Sequence, residues 1–116
     1  MCSATNFKQY GSVQALNQAF GEHWVYIGRA NQSAGLPQSP LANPFRRRDF
    51  GNRPGATLPY YRRWLWNRIQ AGDAAVLAAL QAIDAQTVLV CWCTPGPCHG
   101  EVVRAAAAWL RSQVAA

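Results

Sequence analysis

Three of the chain's four cysteines and one of its two histidines fall within nine residues, Cys91-Trp92-Cys93-Thr94-Pro95-Gly96-Pro97-Cys98-His99. Thiol and imidazole ligate soft metals, or act as nucleophile and base near neutral pH. Three readings of the cluster follow. In the first, Cys98 precedes a helix that begins near Gly100, where backbone N–H groups and the helix dipole lower a thiol's pKa, and His99 or the distant His23 serves as acid/base. Arg104 follows Cys98 at the spacing of a cysteine phosphatase loop. Glu101 would repel a dianion there, however, and Val102 and Val103 read as helix. In the second, the group holds zinc or iron as a structural centre. The spacing Cys-x-Cys-x4-Cys-His lacks paired Cys-x-x-Cys knuckles, and adjacent Cys98 and His99 reach one ion with difficulty, so no metal and no cofactor is assigned. In the third, Cys91 is a small apolar residue of a strand, Trp92 and Cys93 pack, and Thr94 to Pro97 turn the chain into a helix.

The elements that must position this cluster are few. Ser12 is placed to cap a helix over residues 13–20 that Gly21 stops, and His23-Trp24-Val25-Tyr26-Ile27 is a β-branched and aromatic run ending at Gly28. Thr57 and Pro59 open a helix with Leu58, Tyr61, Leu65 and Ile69 on one face, closed by Gly72. Asp73 caps the next helix, with Val76, Leu77, Leu80 and Ile83 as its apolar stripe. Thr87 to Cys91 is a short apolar run suited to a strand covered on both faces. The last helix starts near Gly100 and buries Val103, Ala106, Trp109 or Leu110, and Val114. This order predicts one α/β domain over residues 1–116, a small three-layer fold with a short, mainly parallel sheet. Ligands of such folds gather beyond the carboxyl ends of the strands, which brings Gly28-Arg29 and Cys98-His99 to one edge.

Charge is uneven. Residues 1–72 carry Lys8 and Arg29, Arg46, Arg47, Arg48, Arg53, Arg62, Arg63 and Arg68 against Glu22 and Asp49, a balance of +7, whereas residues 73–116 balance at −1. One lysine among so many arginines favours planar, bidentate contacts to phosphate or carboxylate, although a solvated arginine-rich face has the same composition. Residues 30–56, with four prolines and three glycines, form a loop long enough to expect a binding role. In it Asn43-Pro44-Phe45 offers an amide and a ring immediately before three arginines. Arg62 and Trp66 lie one helical turn apart, where a guanidinium can cover an indole. The cysteines are too crowded for a loop-stapling framework, and no secretory or membrane-spanning pattern is evident, so a cytoplasmic protein with reduced thiols and no membrane partner is expected.

In order along the chain, Val25-Tyr26-Ile27-Gly28-Arg29, Leu41-Ala42-Asn43-Pro44-Phe45, Tyr61-Arg62-Arg63-Trp64-Leu65, Leu89-Val90-Cys91-Trp92-Cys93 and Pro97-Cys98-His99-Gly100-Glu101 resemble the bacterial and phage family called domain of unknown function 4326. The resemblance covers residues 23–112 and implies that Gly28, Arg29, Asn43, Pro44, Phe45, Cys91, Cys93, Cys98, His99 and Gly100 are the positions to test. Residues 1–22 diverge, because a short strand is expected to lead directly into the Tyr-Ile-Gly-Arg segment and here a helix intervenes.

The expected function is binding of an anionic, phosphorylated or nucleotide-like small molecule by Gly28, Arg29, Asn43, Pro44, Phe45 and Gly100, with catalysis by Cys98 and His99 left open. The alternatives are a noncatalytic nucleic-acid-binding module using Arg46, Arg47, Arg48, Arg62 and Trp66, and a structural zinc domain that unfolds on chelation. The oligomeric state is left open.

Overall fold

The computed structural model describes residues 3–53, 55–92 and 98–115. Its order is β1 (Ser3–Asn6), α1 (Val13–Phe20), β2 (Trp24–Tyr26), α2 (Leu58–Gln70), α3 (Ala74–Gln81), β3 (Val88–Cys91) and α4 (Gly100–Ala115). The three strands form a parallel sheet in the order β1-β3-β2, with Ala4 and Val25 both in register with Leu89. Parallel pairing places β3 in the centre, and its apolar run follows from that position: a strand with elements on both faces has no polar side. Leu89 and Cys91 face a core built from α2, α3 and α4, including Tyr61, Leu65, Val76, Leu80, Ile83 and Val103. Val90 faces the opposite way, into a smaller core with Phe7, Leu16, Tyr26 and Leu36. The result is the expected α/β domain, with α1 on one face of the sheet and three helices on the other.

Two expectations change. The helix before β2 does not replace a leading strand: β1 precedes it and pairs with β3, so α1 is the connection between the two edge strands. Of the two residues offered for the buried face of α4, Leu110 packs against the core while Trp109 is exposed.

Local capping follows the sequence. The Ser12 hydroxyl accepts the N–H of Ala15 at 3.0 Å, and Asp73 accepts that of Val76 at 3.2 Å, each satisfying a donor left unpaired at a helix start. Thr57 occupies the corresponding position of α2, but its hydroxyl is engaged elsewhere. The long segment between β2 and α2 is tied down rather than loose. Leu36, Leu41 and Ala42 are buried, Ser39 donates its N–H to Gly28, and the buried Tyr61 hydroxyl donates to the Leu41 carbonyl at 2.6 Å. Burial pushes the Tyr61 phenol pKa well up, which keeps it protonated as a donor. Among the described residues, no helix is long and apolar enough to cross a membrane.

Candidate functional site at the carboxyl ends of the strands

β2 and β3 end beside each other. Ile27 donates its N–H to Val90 at 3.0 Å, so the chain leaves the sheet at Gly28 and Arg29 next to the place where β3 leaves at Trp92. A cavity of about 390 Å³ opens at this edge, lined among others by Gly28, Arg29, Phe45, Arg47, Trp92 and His99. Asn43, Gly55, Thr57 and Leu58 complete its wall. Its size lies in the range of small-ligand sites. Five separate segments of the sequence contribute to it.

Gly28 is required by a close approach. A Cβ built there would lie 2.4 Å from the hydroxyl oxygen of Tyr26. That hydroxyl is fixed, because it donates to the Arg29 carbonyl at 2.5 Å and accepts from the Trp92 indole N–H at 2.8 Å. The Tyr26 ring thereby ties the ends of β2 and β3 together beneath the cavity. Trp92 is steadied further by the Phe7 ring, at 5.0 Å between centroids, and by the Asn6 side-chain amide, which donates to its carbonyl at 2.9 Å.

Arg29 and Asn43 act first on the loop. The Arg29 guanidinium donates through Nε and Nη2 to the Asn43 carbonyl at 3.0 and 2.8 Å, and through Nη2 to the Phe45 carbonyl at 3.0 Å. The Asn43 side chain accepts the Phe45 N–H at 2.9 Å through Oδ1, and donates through Nδ2 to the Thr57 hydroxyl at 2.9 Å. This is the local turn that asparagine favours, with proline at the next position enforcing an extended entry. The amide expected to meet a ligand edge is thus spent on holding Phe45 in the cavity wall. Pro44 is exposed, and it is not among the residues lining the cavity.

His99 is buried at the first turn of α4, and its Nε2 donates to the Ile27 carbonyl at 2.7 Å, which fixes the tautomer of the neutral ring. Burial lowers its pKa, the bond to Ile27 opposes that shift, and the Arg29 charge adds to it. The neutral ring is therefore the form suited to this position at neutral pH. Its edge meets the Tyr61 ring at 5.1 Å, linking the cavity wall to the core.

Cys91 and Cys98 stand apart from this wall. Cys98 is buried, its sulfur accepts the Gly100 N–H at 3.3 Å, and it lies 3.9 Å from His99 Nδ1. Cys98 is not among the residues lining the cavity. Cys91 is buried, its sulfur 3.1 Å from that of Cys98. Cys93 lies outside the described residues. Among the described residues, no group of three or more His, Cys, Asp or Glu side chains is arranged to hold a metal ion.

The remaining expected residues distribute as follows. Gly100, buried, opens α4 behind His99 and does not line the cavity. His23 sits at the amino end of β2, where its carbonyl accepts the Val88 N–H, about 13 Å of strand from the Ile27 carbonyl that His99 meets and so away from Cys98, the thiol it was expected to serve. Arg46 precedes and Arg47 and Arg48 open a short 3-10 turn over Arg47–Phe50, and with Arg29, Phe45 and Asn52 they line a second concavity that shares Arg29, Phe45 and Arg47 with the first. Arg62 and Trp66 line a different groove. Trp92, Thr57 and Leu58 were not singled out from sequence as cavity residues. Trp92 was within reach of inference, being the first residue beyond the carboxyl end of the central strand.

Neither curated proteins nor solved structures gave a match to this chain. A family model does match, over residues 13–109, which takes in α1, both strands that end at the cavity, the arginine-anchored loop and most of α4. The chain belongs to the family described as Domain of unknown function (DUF4326).

Proposed function

We propose that the cavity binds a small phosphorylated ligand carrying a planar ring, of the nucleotide class. The observation that carries this reading is the meeting of three kinds of group on one wall: the guanidinium of Arg47, the rings of Phe45 and Trp92, and the buried imidazole of His99. Aromatic faces stack on a base, arginine offers planar donors to phosphate, and a fixed neutral imidazole adds selectivity without a charge to neutralise. The Arg29 charge contributes to the field, with its Nε and Nη2 donors already committed to the loop. Binding rather than thiol chemistry is the better supported role, because Cys98 is buried and off the cavity wall.

The test is calorimetric titration of the full chain with nucleoside 5′-monophosphates and with the corresponding nucleosides. The expected result is saturable binding to at least one monophosphate, weaker binding of its nucleoside by about tenfold or more, and a similar loss on Arg47→Glu. Equal affinity for nucleoside and nucleotide, or binding indifferent to Arg47→Glu, would overturn the proposal.

A further inference from the structure

A groove of about 570 Å³ runs between α2 and α4, and nothing in the cavity's role accounts for it. Its floor is apolar, with Leu65, Ile69, Val102 and Ala106. Its rim carries two tryptophans that a compact fold would ordinarily bury: Trp66 is 45% and Trp109 38% exposed, with ring centroids 5.0 Å apart at 74°. Arg62 and Arg63, both exposed, stand on the same rim, and Glu101 is the sole carboxylate of the groove's lining. Among the described residues the one salt bridge joins Arg68 to Asp73, so Arg62 and Arg63 are not neutralised by an ion pair there.

The groove is next to the cavity. Leu58 lines the cavity and Pro59 the groove; His99 lines the cavity and Glu101 the groove. The first turns of α2 and α4 therefore separate two adjacent concave surfaces, and beyond the cavity lies the shelf of Arg46, Arg47 and Arg48. Guanidinium groups beside exposed aromatic faces are the elements of single-strand recognition: rings stack on bases of any identity, while arginines track the phosphates. An apolar helix from a partner would leave both guanidiniums against nonpolar surface. A double helix would not present its base faces to the tryptophans.

We propose that the α2–α4 groove binds single-stranded nucleic acid through Arg62, Arg63, Trp66 and Trp109, the strand continuing from a nucleotide held in the cavity. The inference rests on the nucleotide reading of the cavity, and its test separates the two. Binding of a fluorescein-labelled oligothymidylate of about a dozen nucleotides to the full chain is followed by anisotropy across a salt series, beside calorimetry with thymidine 5′-monophosphate. The oligonucleotide is expected to bind about tenfold or more tighter than the monophosphate. The double variant Arg62→Glu/Arg63→Glu should weaken it by about tenfold or more and flatten the logarithmic salt slope by about 1.4, the share of two phosphate contacts on a single strand. Trp66→Ala should weaken it about tenfold, with Trp66→Phe largely restoring it. Affinity for the monophosphate should be unchanged in all three variants. Oligonucleotide affinity no greater than that of the monophosphate, or indifferent to these variants, overturns the inference, as does equal competition by an oligoglutamate of the same length. Failure of the monophosphate to bind, while the oligonucleotide still depends on Arg62 and Arg63, overturns the cavity reading and leaves the groove.

Discussion

The cavity at the strand ends and the groove between α2 and α4 are built differently. In the cavity, polar side chains are occupied with one another: Tyr26 bridges Arg29 and Trp92, Arg29 holds two loop carbonyls, and Asn43 joins Phe45 to Thr57. In the groove, Arg62, Arg63 and Trp66 stand exposed on a helix whose stability comes from its other face, through Tyr61 and Leu65. A preorganised pocket puts its binding groups into fixed positions by building them into the fold. An exposed helical rim keeps binding and folding separate. Substitutions in the cavity should therefore alter both stability and binding, and those in the groove binding alone.

The sharpest way to break the comparison is Gly28→Ala. The added methyl would meet the Tyr26 hydroxyl at 2.4 Å and force the ring away from both hydrogen-bond partners, so we expect a loss of about 2–3 kcal/mol in chemical denaturation. Unchanged stability would mean that the Tyr26 bridge contributes nothing to this edge. Next in size is Asn43→Ala, which removes two hydrogen bonds that hold the loop over the cavity. It should cost about 1–2 kcal/mol and weaken ligand binding together with stability.

A smaller effect follows from His99. Because its folded-state pKa is depressed, the unfolded chain takes up a proton at this residue before the native state does, so stability should fall as the pH drops below about 6.5 and be insensitive to this group above it. His99→Gln, whose amide can still donate to the Ile27 carbonyl, should flatten that dependence in denaturation curves recorded from pH 5 to 8. Smallest of all, Arg62→Glu/Arg63→Glu should leave stability within about 0.5 kcal/mol of the parent, as expected for exposed side chains without fixed partners in the fold. A larger loss would show that the groove is part of the scaffold after all.

Much of the frame was legible from periodicity and caps. Ser12, Asp73 and the apolar stripes of α2 and α3 lie where 3.6-residue spacing and capping chemistry put them. β1 was not legible, since Ser3-Ala4-Thr5-Asn6 has no apolar run of its own, and its pairing with β3 more than eighty residues away makes it a strand. At the site, the strand-end rule brought Arg29 and His99 together, but not what their polar groups do. The sequence shows that Asn43 has an amide; only the fold shows that the amide bonds Phe45 and Thr57. Trp66 could be paired with Arg62 by helical spacing, whereas Trp109, on another helix, becomes its neighbour through packing of α2 against α4.

The central claim is that the strand-end cavity is a nucleotide site, and amide and indole chemical-shift mapping during titration with a nucleoside 5′-monophosphate tests it most directly. The account predicts saturating shifts at Gly28, Arg29, Phe45, Arg47 and His99 and at the Trp92 indole, with the Trp66 and Trp109 indoles unmoved. Shifts confined to the α2–α4 groove, or no saturable shifts at the cavity residues, would contradict it.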